Sequence, residues 1–299
     1  MIGVMPRLGT FPCLVVAALA GCAHAPQGAT VDWRGLAERD LRAMHDLLRD
    51  NSPAMIVPED SAHFRRWLDE GLTDALARLP EVSDERGYGF SLKGYAGGFR
   101  DSHIQVWSLS ESGDLRKPLA WPGFAVGLRG DAYVVVARSS DVVNAPAVGA
   151  RLLGCDGKNA KELAISRDRY DGNLSLEGDR FFAARLLLLD RGNPFVPRPE
   201  VCRFEDGGRL SEVALHWRAP GLDVEKALAV AIAKKTRSLA VEKYAEGVWW
   251  VTIPGLAGEL DWPGFFAKVA AARGALRAAP LLVVDGRGNH GGDSTYAYP

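Results

Sequence analysis

Two short stretches carry residue types that could do covalent chemistry. The first is Asp101-Ser102-His103, reached through the glycine- and aromatic-rich run GYGFSLKGYAGGFR. A histidine changes charge near neutral pH, so beside a serine and an aspartate it can act as a general base. A lone histidine is more often structural, and the triplet by itself does not decide. The second stretch is LLVVDGRGNHGGDSTYAYP, which runs to Pro299. Gly286, Gly288, Gly291 and Gly292 permit positive φ angles, and such loops can aim main-chain N–H groups at a developing anion. A tight strand-to-helix connection would use the same glycines. No lysine follows them as in G-x-x-x-x-G-K-[ST], and the order is not G-x-G-x-x-G, so the loop is not read as a nucleotide site.

The elements that must position these residues follow from periodicity. Residues 31–79 have a helical pattern: Trp33, Leu36, Ala37, Leu41, Met44, Leu47 and Leu48 share one face, Pro53 and Pro58 interrupt, and Phe64, Trp67, Leu68, Leu72, Leu76 and Leu79 resume it. His45 and His63 read as surface or packing residues. Behind His103, residues 104–107 alternate as a strand would. Residues 118–217 read as short strands and turns, with 124–128 and 133–137 flanking a hairpin turn at Arg129-Gly130-Asp131. The run APAVGARLLGCDGKNAKEL resembles the part of a PDZ domain that reads as a Gly-Asp pair, strand, turn and helix, although Gly149-Ala150 stands where the Gly-Asp pair would. Any small β-domain competes with that reading. Residues 224–240 predict a helix, 248–253 a strand and 262–276 a second helix. The wholly apolar 281–284 predicts a strand covered on both faces, completing a right-handed βαβ unit.

Composition sets limits. The chain has 299 residues, 47% hydrophobic and 24% charged, enough for two or three cores. A net charge of -1 with no basic stripe argues against a nucleic-acid partner. No His/Cys cluster has metal-ligand spacing, and no metal or cofactor is expected.

The N-terminus reads as an export signal. Arg7 precedes a short apolar stretch, residues 11–20, too short for a membrane-spanning helix. Leu19-Ala20-Gly21-Cys22 resembles the lipobox of bacterial lipoproteins, which implies lipidation of Cys22 as the first mature residue. An ordinary secretory signal with a chance cysteine is the alternative. Ala23 stands where an inner-membrane retention signal would place Asp, so the expected address is the outer membrane, facing the periplasm. Cys155 and Cys202 then remain, either paired in an oxidising compartment or as two buried thiols.

Taken in order, these parts resemble the tail-specific (C-terminal processing) and tricorn-like serine peptidases. Asp285, Arg287, Gly288, Asn289, Gly291 and Gly292 match the D-x-R-G-N-x-G-G pattern of that family, and Gly286 departs from it where an apolar residue is usual. The resemblance covers roughly residues 31–299. It implies an α+β multi-domain fold: a lipoprotein signal at 1–22, a helical cap at 31–80, the start of the core with the Ser-His motif at 87–117, a PDZ-like β-rich domain at 118–217, and the start of an α/β ClpP/crotonase-like peptidase core at 224–299. It also implies roles. His103 would be general base and Ser102 a supporting hydrogen-bond group. Gly291 or Gly292 would give an oxyanion N–H, with Asn289 in the same loop, and the substrate would be a polypeptide. The nucleophilic serine in that family follows the glycine loop by some tens of residues, so it is expected beyond Pro299, and this chain is expected to be an inactive fragment. Ser294 reads as a helix start. A Ser-Lys dyad remains open beside the Ser-His assignment. A non-catalytic peptide-binding lipoprotein is the competing function. A crotonase-like acyl-CoA enzyme is a third, opposed by the export signal.

Overall fold

Asp32 opens the first helix by accepting the Gly35 N–H at 2.9 Å, the side-chain cap that aspartate is suited to make. This helix, α1 (Trp33–Asn51), buries Ala37 and Leu41 completely. Helix α2 (Ala62–Ala77) turns Phe64, Leu68 and Ala75 inward. Helix α3 (Glu85–Gly97) is capped by Asp84, which accepts the Gly87 N–H at 2.7 Å. The three share one core with Tyr95 and Phe99; each fully buried side chain of this size stabilises by about 1.5–3 kcal/mol. The computed structural model describes residues 31–57, 61–101, 103–106, 110, 113–173, 176–232, 238–287, 289 and 291–297. The lipobox with Cys22, and also Ser102, Gly288 and His290, lie outside the described residues.

Of the strand expected at 104–107, residues 104–106 do not form one, and Trp107 lies outside the described residues. His103 lies in a turn and Ile104 in a bend, with the Ile104 N–H donating to the Asp101 carbonyl at 3.1 Å. Ile104 and Val106 pack instead against the core of the three helices. The alternation thus reflects two side chains resting on a helical surface, a pattern that period alone cannot tell from a sheet.

A six-stranded antiparallel sheet follows, with order β1-β2-β3-β5-β6 and β4 paired to β3. Its strands are β1 (Phe124–Arg129), β2 (Ala132–Arg138), β3 (Arg151–Cys155), β4 (Lys158–Asn159), β5 (Val201–Asp206) and β6 (Arg209–Ala214). The hairpin at Arg129-Gly130-Asp131 forms as its sequence predicts. Between β4 and β5 lie α4 (Ala160–Ile165), α5 (Asp168–Asp171) and α6 (Glu177–Ala183). Asn159 caps α4 in a capping box with Glu162. Cys155 and Cys202 sit opposite each other in the β3–β5 ladder and form a disulfide.

Helix α7 (Leu222–Ala231) packs Val224, Ala227 and Ala231 against the β1–β2 face. It ends at Ala231, short of the 224–240 pattern; residues 233–237 lie outside the described residues, and Ala240 belongs to the next strand. Strands β7 (Ala240–Ala245) and β8 (Val248–Thr252) pair antiparallel, helix α8 (Trp262–Ala278) follows, and β9 (Leu281–Asp285) pairs parallel with β8. The βαβ unit is therefore present, around its own core of Leu239, Val251, Trp262 and Phe265. One expectation fails. Leu281, Leu282 and Val284 are 52%, 44% and 61% exposed, not covered on both faces. Among the described residues β9 pairs on one side only and ends the three-stranded sheet. Ser294 opens a 3₁₀ turn, Ser294–Ala297. No described helix is long and apolar enough to cross a membrane.

Candidate active site

The turn that carries His103 is held in place by two glycines at the end of α3. A Cβ on Gly97 would lie 2.0 Å from the Arg169 carbonyl, and one on Gly98 would lie 2.1 Å from the Trp67 ring. Only glycine lets the chain pass between α2 and α5 here. Arg100 follows with φ 59, a left-handed conformation uncommon for a residue with a side chain. Its carbonyl is fixed by the Asn173 side-chain amide at 3.3 Å.

On this support Asp101 and His103 form a pair. The Asp101 Oδ1 accepts both the His103 main-chain N–H and the ring Nδ1–H, each at 2.9 Å. These bonds, the main-chain one first, hold the Asp101 carboxyl below the usual carboxylate range, so it stays an ionised acceptor. With Nδ1 occupied, the ring turns Nε2 outward, and the histidine side chain is 92% exposed. An aspartate fixing Nδ1 while Nε2 faces a reactant is the arrangement a histidine base needs. The sequence shows Asp101 beside the histidine but not its role. The signal was its position two residues before the histidine, where an aspartate side chain can close an Asx turn.

The terminal loop is built around Asp285, whose side chain is almost wholly buried. It accepts from Trp250 Nε1 at 3.3 Å, from the Arg287 main-chain N–H at 3.0 Å, and from Arg287 Nε and Nη2 at 2.8 and 2.9 Å. Arg287 also lies over the Trp250 ring, 5.7 Å from its centre. The Asp and Arg of the motif thus shape the turn and leave the loop to make any contact with a ligand.

Within that loop the glycines differ. The Gly291 N–H donates to Asn289 Oδ1 at 2.8 Å, so both groups serve the loop itself. Leu256 clamps the next residue from the outside: its N–H donates to the Gly291 carbonyl and its carbonyl accepts the Asp293 N–H, both at 2.9 Å. The Gly292 N–H has no hydrogen-bond partner among the described residues. With φ 128, and a would-be Cβ 2.0 Å from the Leu256 carbonyl, position 292 admits only glycine. The geometry therefore leaves Gly292, of the two, as the free donor. No hydrogen bond or ion pair among the described residues joins this loop to the Asp101–His103 pair. Nor does the loop line the cleft beside Asp101. Among the described residues no group of three or more His, Cys, Asp or Glu is placed to hold a metal.

No family model matches the sequence, and no curated protein is significantly similar to it. Solved structures do match in fold. Mature CPAF complexed with lactacystin aligns with a TM-score of 0.52 at 16% identity, covering 89% of this chain and 58% of that one. A CPAF mutant aligns with a TM-score of 0.55 at 16% identity, again over 89% and 58%. CPAF is a chlamydial serine protease of the tail-specific-like kind. The chain thus has a mixed α and β fold similar to that of a serine protease, and it spans about 58% of the length of those structures.

Proposed function

We propose that this chain belongs to a serine endopeptidase of the tail-specific or tricorn-like kind, exported to the periplasm and held at the outer membrane through a lipid on Cys22. The observation that carries the peptidase reading is the Asp101–His103 pair at 2.9 Å, in a fold similar to a serine protease over 89% of the chain. In this reading His103 Nε2 takes the proton from a serine hydroxyl as that oxygen attacks a peptide carbonyl, and returns it to the leaving amine. Asp101 keeps Nδ1 protonated and steadies the imidazolium that forms. The Gly292 N–H donates to the oxyanion. Ser102 supports the histidine, and the β-sheet of residues 118–217 acts as a PDZ-like module that holds polypeptide substrate. The nucleophile is a serine that follows the glycine loop.

A fluorophosphonate probe tests this directly. Residues 1–299 should remain unlabelled, and the protein carrying the serine beyond the loop should be labelled in a His103-dependent way. A label on Ser294 would overturn the placement of the nucleophile, and labelling untouched by His103→Ala would overturn the base. The anchor has its own test. Metabolic labelling with a fatty acid should mark the wild-type protein and not Cys22→Ser; label persisting in Cys22→Ser removes the lipobox.

A further inference from the structure

Beside the Asp101 turn, between α3 and α5, lies a cleft of about 260 Å³. Its charged lining is Lys93, Arg100, Asp101, Arg169, Asp171 and Asp179. All three carboxylates there are already occupied. Asp101 holds His103, and Asp179 accepts the Asn173 N–H at 2.8 Å. Asp171, its side chain only 2% exposed, accepts from Arg167 Nε at 3.0 Å and pairs with Arg191. Arg169 pairs with Asp74. The cations left without a partner are Lys93 and Arg100, whereas Asp101 and Asp179 accept only N–H groups and keep their negative charge. Neither side chain has a hydrogen-bond or ion-pair partner among the described residues.

The lining balances three cations against three carboxylates, and the positive surplus lies below the floor. Two buried guanidinium groups, Arg167 and Arg191, share the single Asp171 carboxylate, and the Nε of Arg191 is buried without a partner. Burial and then the Arg191 charge pull the Lys93 ammonium below its usual range, against the opposing pull of Asp171. An ammonium in that position gains most from a mobile anion, because the cleft is partly shielded from water. The volume lies below that of ordinary drug-sized sites, and it suits one small group.

We infer that this cleft is a carboxylate-binding site, with Lys93 at its floor and Arg100 at its rim as the two cationic contacts. The carboxylate comes either from a small free acid or from an acidic side chain of a polypeptide. The inference stands apart from the peptidase reading, because it concerns binding and needs no turnover.

Calorimetric titration separates the two sources. Glutarate is one probe. A short peptide containing Glu, and the same peptide with Gln in its place, are the others. Binding of glutarate, or a clear preference for the Glu peptide over its Gln counterpart, supports the site and identifies the source. Lys93→Met should weaken that binding about tenfold or more, as expected for loss of a charged hydrogen-bond partner. Arg100→Asn should weaken it too. Asn tolerates the left-handed backbone at position 100, and the side chain is on the surface, so this variant serves if Lys93→Met fails to fold. Lys161→Met, an exposed lysine on α4, should change nothing. Absence of binding by glutarate and by both peptides at millimolar concentration overturns the inference. So does equal affinity for the Glu and Gln peptides without glutarate binding, or full affinity in both cleft variants.

Discussion

Asp101 Oδ1 holds His103 at two points, the main-chain N–H and the ring Nδ1, both at 2.9 Å. The ring is thereby fixed in tautomer and direction while its side chain stays 92% exposed. Exposure of that degree separates a catalytic effect from a structural one. Replacing His103 removes almost no packing, so His103→Ala should leave stability within about 0.5 kcal/mol. Loss of a general base lowers kcat by about 10²–10⁴-fold, with KM little changed. Asp101→Asn should also lower kcat, by losing the ionised partner of Nδ1, and Ser102→Ala should cost less than either. Peptide hydrolysis and thermal unfolding on the same three variants, made in the protein carrying the serine beyond the loop, provide the check. Near-native turnover in His103→Ala would remove the Ser-His assignment and favour a Ser-Lys dyad.

Gly292 and Gly286 stand six positions apart in one loop and should respond oppositely to alanine. A Cβ at Gly292 meets the Leu256 carbonyl at 2.0 Å on a backbone with φ 128, and a Cβ at Gly286 meets nothing. Gly292→Ala should destabilise the terminal unit by about 1–3 kcal/mol, while Gly286→Ala stays within about 0.5 kcal/mol of wild type. Denaturant midpoints compare them. Equal effects would mean that Leu256 does not clamp the loop.

The Cys155–Cys202 bridge closes a separation of 47 residues. The loop-entropy relation puts its contribution at about 4 kcal/mol. Thiol titration of a denatured, unreduced Cys13→Ser/Cys22→Ser variant, in which only this pair remains, should find no free thiol, and reduction should lower the melting temperature. Two reactive thiols in that titration would show that the pair exists as buried free thiols.

His45 links α1 to α2, with Nδ1 3.1 Å from Asp46 Oδ1 and Nε2 3.0 Å from Asp69 Oδ1. Burial lowers the pKa of the imidazole, but the hydrogen bonds to Asp69 and Asp46 outweigh it and leave the value raised. The stabilisation is therefore complete below the unfolded value of about 6.5 and fades as pH rises through the folded value. Its size is under about 1 kcal/mol, as for other exposed ion pairs. His45→Gln should flatten this decline in a series of denaturant midpoints across neutral pH. A slope identical to wild type would show that the contacts contribute nothing.

Much of the scaffold is written in the sequence because it follows from local pattern. The apolar faces of α1 and α2, the hairpin at Gly130 and the β8-α8-β9 unit depend on periodicity and turn chemistry that lie within a few residues. The failures depend on distant partners. Ile104 and Val106 alternate like a strand but rest on helices, and β9 is apolar yet exposed, since its side chains do not join the core around α8. At the end of the 224–240 pattern, Ala240 is claimed by pairing with Thr252, a partner twelve residues away. At the site, the histidine and the glycines were legible by type. The choice of Gly292 over Gly291 was not, because it turns on which N–H the Asn289 side chain takes.

The cross-strand bridge also makes the chain between Cys155 and Cys202 a covalent ring. That ring contains α4, α5 and α6, with Arg167, Asp171 and Arg191, and it leaves the sheet at the same point where it returns. A single proteolytic nick anywhere inside it cannot release a fragment. The cut protein would keep its full mass on a denaturing gel until a reductant is added, and only then would two pieces separate.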